Sequence, residues 1–228
     1  MAEVHPSKSQ PAPKAASPRR RTRKENIVEA EKYSSILRES NGSYNPLASF
    51  CPKPANVSFE VQHEDEPILL LLRQHPIVNI RWIIIATLML LAPLSLNFFP
   101  LLDWLPERFQ FVALIGWYSL TFGFILENFL IWFFNIYIIT DERVIDVDFF
   151  NLLFKKVSEA KIENIEDITS ATGGFLQSVI DFGEVRIQTS AEIPQIEFDK
   201  VPHPGKVATF LSEMLVQEEQ EKIEGRVR

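Results

Sequence analysis

Two long apolar segments in the middle of the chain restrict most strongly what it can fold into. The first, residues 78–96, reads VNIRWIIIATLMLLAPLSL and carries a single charge, Arg81. The second, residues 111–134, reads FVALIGWYSLTFGFILENFLIWFF and also carries a single charge, Glu127. Each approaches the roughly 20 residues that a helix needs to cross a bilayer, and helices of soluble proteins are rarely apolar on every face over such lengths. The sequence therefore predicts a transmembrane hairpin over residues 78–134.

The arginines that flank the hairpin predict its orientation. Arg73 and Arg81 lie at the start of the first span and Arg143 follows the second, whereas the short link between the spans holds one arginine and two acids. An excess of Lys and Arg marks the cytoplasmic side, and no apolar signal-peptide segment precedes the first span. We expect a multi-pass protein of the cell membrane, with the lipid bilayer as a partner and both termini in the cytoplasm.

The segments before the hairpin are polar. Residues 1–55 are rich in Pro, Ser, Lys, Arg, Glu and Ala, which predicts a disordered tail. The basic cluster Arg19–Lys24 has two interpretations: a tether that gains about 1 kcal/mol per basic residue near anionic lipid, or a solvated charge run. No aromatic interleaving accompanies it, so nucleic-acid binding is not expected. Residues 64–77, which Pro76 interrupts, predict a short juxtamembrane segment at the bilayer interface.

A period of two replaces the apolar run directly after the second span. The segments IYIIT and RVIDVDFF flank the turn Asp141–Arg143 and predict a β-hairpin. Further short strands follow, and the chain then forms one amphipathic helix, for which Pro204 suits the first turn. The apolar stripe of that helix has the spacing i, i+3, i+4, i+7, i+8 and consists of Val207, Phe210, Leu211, Met214 and Leu215. Residues 136–218 therefore predict a compact β-domain closed by a helix.

The order of these pieces resembles a known family. Two spans run into YIITDERVIDVDFFNLLFKKVSEAKIENIEDI, then DFGEVRIQTS, then FDKVPHPGKVATFL. This arrangement resembles the YdbS-like bacterial pleckstrin-homology (PH) membrane proteins over about residues 64–216. The resemblance implies an α+β membrane protein, in which a two-helix transmembrane hairpin precedes a PH-like barrel or sandwich of two bent antiparallel sheets. A C-terminal helix caps that domain on the cytoplasmic face. The family implies no established reaction, cofactor or ligand.

Catalysis is not expected from the residue pattern. The four histidines, His5, His63, His75 and His203, are scattered, and no metal-ligand, nucleophile or phosphate-loop motif is present. We expect no cofactor and no metal. The sequence favours a membrane-anchored interaction or assembly scaffold, with a homo-oligomer or other membrane proteins as candidate partners. The alternative is binding of anionic lipid headgroups, although residues 141–228 hold ten Lys/Arg against eighteen Asp/Glu.

Two groups of residues are candidate sites. Glu127 needs a partner or a proton inside a span, and an intramembrane ion pair with Arg81 would supply the partner; proton or ion transfer is the alternative. Small residues spaced by three or four would let the spans approach closely, with Ala86 facing a stripe formed by Ala113, Gly116, Leu120, Gly123 and Glu127.

The second candidate group is outside the spans. The loop GGFLQSVIDFG holds too many apolar groups for an exposed loop, and we expect part of it to pack and part of it to contact lipid or a partner. The candidate contact residues are Phe175 and Leu176 in this loop and the adjacent basic pair Lys155 and Lys156.

Overall fold

The structure is a computed structural model that describes residues 22–40, 45, 47–54, 57, 62–63, 66–95, 106–149, 154–190 and 195–223. Its helices are α1 (Arg23–Tyr33), α2 (Ser35–Glu39), α3 (Ile80–Ser95), α4 (Glu107–Phe134), α5 (Phe175–Ile180) and α6 (Pro204–Ile223), with 3-10 turns at Pro76–Asn79 and Ile162–Asn164. Its strands are β1 (Phe50–Pro52), β2 (Ile68–Arg73), β3 (Ile136–Thr140), β4 (Arg143–Phe149), β5 (Lys155–Lys161), β6 (Ile165–Ala171), β7 (Phe182–Thr189) and β8 (Gln195–Pro202).

The strands form two antiparallel sheets that share one core. The first sheet has the order β1-β2-β3-β4-β5 and the second has the order β6-β7-β8. Fully buried side chains from both sheets, such as Tyr137 and Phe198, stack at 4.5 Å between ring centroids. The α+β class and the pair of antiparallel sheets agree with the PH-like architecture that the sequence predicts.

Helix α6 closes the core as its apolar stripe predicts. Val207, Phe210, Leu211 and Met214 are buried, and Leu215 packs partly against the same cluster. The helix lies on β6, β7 and the 3-10 turn at Ile162–Asn164. Because α6 begins next to the end of β8 and reaches this turn near its own end, it runs the full length of the domain.

The segment before the hairpin is a central strand, which corrects the prediction for residues 64–77. All six residues of β2 are buried, and β2 pairs with β1 on one side and with β3 on the other, for example Leu72 with Tyr137. A continuous apolar run such as ILLLLR is typical of a strand covered on both faces. Pro76 falls after the strand, where it begins the 3-10 turn that leads into α3.

The two apolar helices are therefore an insertion between two paired strands, β2 and β3. They pack against each other and leave most of their surface exposed. Both are long and apolar enough to cross a membrane by length and composition. The predicted spans 78–96 and 111–134 correspond to helices that begin and end within four residues of those limits.

Part of the N-terminal segment is folded onto the domain, which corrects the expectation of a disordered tail over residues 1–55. Ala30 of α1 and Leu37 of α2 are fully buried in the core cluster, and Cys51 of β1 pairs with Leu71. An ion pair of 2.8 Å joins Lys53 to Glu31. Tertiary packing holds α1 in place, since most of the stability of helices in proteins comes from such packing. Residues 1–21, which include most of the basic cluster, lie outside the described residues.

Candidate functional site

The two helices join the sheets through a compact region that we call the hairpin base, residues 73–82 and 132–135. Trp132 is buried there, and its indole Nε1–H donates to the carbonyl oxygen of Gln74 over 3.0 Å. The guanidinium of Arg73 lies 4.4 Å from the ring centroid of Phe133, a cation–π contact. On the other helix, the indole of Trp82 donates to Asn79 Oδ1 at 3.0 Å. These contacts fix both helices to the end of β2.

The exit from α4 into β3 is also fixed. Asn135 ends the helix, where its backbone N–H donates to the carbonyl of Ile131 over 3.1 Å. Its side-chain Oδ1 accepts the backbone N–H of Phe149 on β4 at 2.5 Å. The rings of Phe134 and Phe149 lie 5.6 Å apart. Helix α4 therefore passes into β3 without a linker, because Asn135 both ends the helix and accepts a hydrogen bond from the sheet.

The second sheet reaches the hairpin base through His75. Its ring stacks on Phe182 of β7 at 5.4 Å, and its backbone N–H donates to the carbonyl of Lys200 over 2.7 Å. Burial, together with the charge of His203, lowers the pKa of His75. The neutral ring accepts the N–H of Ile77 at Nδ1, 3.2 Å away, and so starts the 3-10 turn before α3. We call this side of the domain the hairpin end.

Helix α5 lies at the hairpin end with its apolar side chains outward. Phe175, Leu176 and Val179 are 82%, 67% and 65% exposed. By contrast, Phe182, which follows the helix, is buried against His75. Asp181 ends α5 in the left-handed conformation, where its carbonyl accepts the backbone N–H of His203 over 2.9 Å. The loop therefore divides as expected into a packed part and an exposed part.

The end of β4 and the start of β5 lie at the same end of the domain. Phe149 pairs with Lys155, and Asp148 pairs with Lys156. Both lysines are exposed, and so are the neighbouring apolar side chains of Phe154 and Val157. The four candidate contact residues of the sequence, Phe175, Leu176, Lys155 and Lys156, thus lie at one end of the domain, on two separate elements, α5 and β5.

Arg81 and Glu127 are not brought together. Both side chains are exposed, and among the described residues no ion pair joins them. The contact between the helices instead uses another face of α4, where Thr121 is fully buried and Trp117 Nε1 donates to the carbonyl of Met89 at 2.8 Å. Glu127 lies six residues beyond Thr121, about 120° around the helix at 3.6 residues per turn. Ala86, the predicted contact on α3, is buried.

A pair of carboxylates lies on β4 near the hairpin end. Asp146 is 6% exposed, and one of its oxygens, Oδ1, is buried without a hydrogen-bond partner. Burial and the negative charge of Asp148 raise the pKa of Asp146 to about 7. Burial also raises the pKa of Asp148. The charge of Lys156 opposes this rise in the pKa of Asp146, and the charge of Asp199 adds to it. Asp146 and Asp148 are two residues apart on one strand, and the structure places Asp146 inside the domain.

The opposite end of the domain, which we call the far end, holds a group of potential metal ligands. Oxygen or nitrogen atoms of His63, Glu66 and Glu142 lie within 4.8 Å of one another. Glu66, however, is buried and accepts two hydrogen bonds from Arg143, from Nε at 3.0 Å and from Nη2 at 2.8 Å. The bidentate guanidinium of Arg143 already neutralises the carboxylate of Glu66. We therefore interpret Glu66 as the partner in a buried ion pair rather than as a metal ligand.

Comparison with known proteins agrees with the class that this fold defines, two antiparallel sheets closed by a C-terminal helix. The family model described as "Bacterial PH domain" matches residues 76–215. The match covers more than half of the chain, and the chain therefore belongs to the bacterial PH domain family. No significant match was found among curated proteins or among solved structures. Helix α1, α2, β1 and β2 lie before the matched region, although they complete the same core.

Proposed function

We propose that this chain is a membrane-anchored PH-like module that acts as a scaffold for protein interaction or assembly on the cytoplasmic face of the cell membrane. The observation that carries the proposal is the insertion of two apolar helices between the paired strands β2 and β3. Their outward surfaces are almost wholly apolar and exposed. A surface of this size is costly in water, whereas a bilayer accommodates it.

The sheet supports the predicted topology. Because β2 and β3 are neighbours in one sheet, the chain enters and leaves the hairpin on the same side. The helices then cross the membrane as a pair, and all eight strands lie on one side of it. Arg73 and Arg81 at the start of the hairpin favour the cytoplasmic side. The resemblance to YdbS-like membrane proteins implies the same placement of the domain on the cytoplasmic side.

A scaffold agrees better with the described residues than an enzyme does. His75 and His203, the two histidines at the hairpin end, are engaged in packing and hydrogen bonds with Phe182 and Asp181. Tyr137 and the carboxylate of Asp146 are buried within the sheet. The domain instead offers a rigid surface at a fixed orientation, since residues of the hairpin base bond to both sheets.

Topology and assembly are tested on the full chain in its native membrane. Single cysteines at Ser212 and Leu105, in a Cys51→Ala background, should react with a membrane-impermeant reagent from the cytoplasmic side and from the outside, respectively. Leu105 lies outside the described residues and serves only as a reporter. Extraction by carbonate without detergent, or reaction of Leu105 from the cytoplasmic side, would contradict the anchor.

The scaffold role needs a separate readout. A photo-crosslinking amino acid at exposed positions of the domain should capture a second copy or another membrane protein at some positions and not at others. Native mass measurement of the chain in mild detergent then separates the two kinds of product. A chain that is monomeric and forms no adduct at any position would contradict the scaffold.

Anionic headgroup binding is the second candidate function, and the positions of Lys155 and Lys156 at the hairpin end favour it. In nanodiscs, Lys155→Gln with Lys156→Gln should lose any preference for anionic over zwitterionic lipid. Lys161→Gln with Lys222→Gln at the far end is the matched control, because these lysines pair with Glu163. Equal behaviour of both double variants would leave the scaffold as the better proposal.

A further inference from the structure

We propose that α5 and the start of β5 form a second, peripheral membrane contact, which inserts apolar side chains into the interface of the same leaflet that receives the hairpin. We call this surface the docking face; it consists of Phe154, Val157, Phe175, Leu176 and Val179. The inference rests on the proposed membrane anchor and adds to it a defined surface and a defined occupant, the lipid bilayer.

The exposure of the docking face is the first argument. Three of six residues in α5 are apolar and at least 65% exposed, and Phe154, directly before β5, is 66% exposed. Single exposed apolar side chains are ordinary on protein surfaces. It is unusual, however, for a phenylalanine, a leucine and a valine in one short helix all to turn away from an adjacent core, because these side chains would gain stability by packing inward.

The local backbone holds α5 in this outward position. Gly174 precedes the helix at φ +92°, a conformation that side chains rarely adopt. Asp181 follows it in the left-handed region and accepts the backbone N–H of His203. Gly183 lies against the backbone of Ala171 so closely that a Cβ there would clash. Both ends of the loop are thus fixed to strands, and the exposed face is a built feature of the fold.

The position of the docking face is the second argument. The residue after Asp181, Phe182, stacks on His75, which leads into α3. Phe149, the last residue of β4, contacts Phe134, the last residue of α4. Helix α5 and the paired ends of β4 and β5 therefore each lie beside one of the two helices. A bilayer that receives α3 and α4 would lie directly against both, and its apolar core would continue their apolar surface.

The charges beside the docking face are the third argument. Lys155 and Lys156 begin β5, and Lys200 and Lys206 lie in β8 and α6, on either side of the junction between them; all four are exposed. They belong to a domain in which acids exceed bases over residues 141–228. Lysines beside an inserted apolar patch extend their charged ends to the headgroups, where anionic lipid attracts them. This pattern fits a lipid interface better than an aqueous protein surface.

The test places one nitroxide per chain in nanodiscs that contain phosphatidylcholine, phosphatidylglycerol and a single copy of the full-length protein. In a Cys51→Ala background, cysteines replace Val179, Val216 and Leu120. Val216 is the matched control, since it is a valine with 56% exposure on α6. Leu120, 70% exposed on α4, reports on the hairpin itself. The readout is the accessibility of each label to oxygen, which partitions into lipid, relative to a water-soluble nickel complex.

The expected result is a high oxygen-to-nickel ratio at position 179, between the ratio of position 120 and the aqueous ratio of position 216. Low oxygen and high nickel accessibility at 179, with lipid accessibility at 120, would overturn the docking face and leave the anchor intact. Low accessibility of 179 to both reagents would also overturn it, because protein would then cover the surface. An aqueous signal at 120 would instead contradict the membrane anchor itself.

A variant guards against perturbation by the label. Leu176→Asp should shift the ratio at position 179 towards the value at 216, without changing the ratio at 120 or the circular dichroism spectrum. Val216→Asp should leave the ratio at 179 as it was. A docking face that remained in lipid after Leu176→Asp would show that insertion of these side chains does not hold the domain against the bilayer, which would overturn the proposal.

Discussion

The far end and the hairpin end of the PH-like domain differ in how their charged and apolar side chains are placed. At the far end, Arg143 pairs with buried Glu66 and exposed Glu159, and Glu163 lies between Lys161 and Lys222. At the hairpin end, apolar side chains are outward, while the carboxylate of Asp146 is buried near Asp148. The charged groups of the far end are paired within the protein. The apolar side chains of the hairpin end are exposed, and the proposed bilayer contact would cover them.

The largest effect should come from breaking the buried pair at the far end. Burial alone would raise the pKa of Glu66, but hydrogen bonds from Arg143, Thr140 and the backbone of His63 outweigh it and lower that pKa. Arg143→Ala leaves this carboxylate buried and unpaired, so the free energy of unfolding should fall by about 3–5 kcal/mol. Urea unfolding of the full chain in detergent, followed by circular dichroism at pH 7, measures the loss.

The pH dependence of this loss is a second check. The stabilisation from ionised Glu66 is complete above its unfolded pKa of 4.5 and is lost as the pH falls through the lower folded value. The difference in the free energy of unfolding between Arg143→Ala and the unmodified protein should therefore become smaller below pH 4.5. Arg186→Ala is the control, because Arg186 forms exposed pairs with Glu184 and Glu197 and should cost less than about 1 kcal/mol. Equal losses in both variants would contradict the buried pair.

The next effect tests whether the hairpin end is as rigid as the far end. A Cβ at Gly183 would clash with the backbone of Ala171 and would lie 3.0 Å from Thr172 Cγ2 and 3.1 Å from Pro204 Cγ. Gly183→Ala should therefore cost about 2 kcal/mol in the same unfolding measurement. The control is Gly205→Ala in the first turn of α6, where no atom lies within 4 Å of an added Cβ; it should be neutral or stabilising. A tolerated Gly183→Ala would show that α5 and its strands shift easily.

The carboxylates of Asp146 and Asp148 predict that the stability of the hairpin end depends on pH. The pKa of Asp146 is about 7 in the folded state against an ordinary 3.8, so the folded state binds the extra proton and stability falls as the pH rises between these values. Asp146→Asn mimics the protonated form and should gain about 1–2 kcal/mol at pH 8. The gain should vanish at pH 4, as measured by urea unfolding at both pH values. Asp167→Asn, at an exposed position of β6, should show no such pH dependence; a gain independent of pH at Asp146 would point to packing instead.

The smallest effect concerns the exposed ion pairs of the far end. Lys161 and Lys222 each lie 3.3 Å from Glu163 and lower its pKa. Because this cluster is in water, Glu163→Gln should change the free energy of unfolding by less than about 0.5 kcal/mol. That difference should shrink further at 1 M salt, where the screening length is about 3 Å. A loss comparable to that of Arg143→Ala would remove the distinction between the buried and the exposed pairs.

The sequence alone predicted the elements in which apolar residues recur with a helical or strand period. The stripe of α6, the strand that follows Asn135 and the length of the two apolar helices all appear in the structure. The apolar side chains of α5 are exposed, whereas the expected contact role of Phe175 and Leu176 stays a prediction. In each case the signal is carried by neighbours along the chain, where a period of two or 3.6 separates the faces.

Long-range pairing explains what the sequence did not predict. The strand β2 is apolar on both faces, so nothing local distinguishes it from a juxtamembrane segment; its partner β3 lies beyond the hairpin. Helix α4 is apolar all round, so its packed face is decided by Thr121 and Trp132 in the fold and not by periodicity. Arg143, first used as an orientation marker, is instead the partner of Glu66.

The insertion of the hairpin between β2 and β3 has a consequence for biosynthesis. A ribosome completes β1 and β2 before the two helices and makes β3 only after residues 74–135 have emerged. Without a membrane, closing so long a loop carries an entropic cost that grows with the logarithm of its length. In the proposed membrane anchor, the translocon would release both helices side by side, the ends of that loop would already be close, and β3 could add to β2 at once. The central sheet of the domain would then be completed by the membrane-insertion machinery, in a step that an isolated cytoplasmic fragment cannot reproduce.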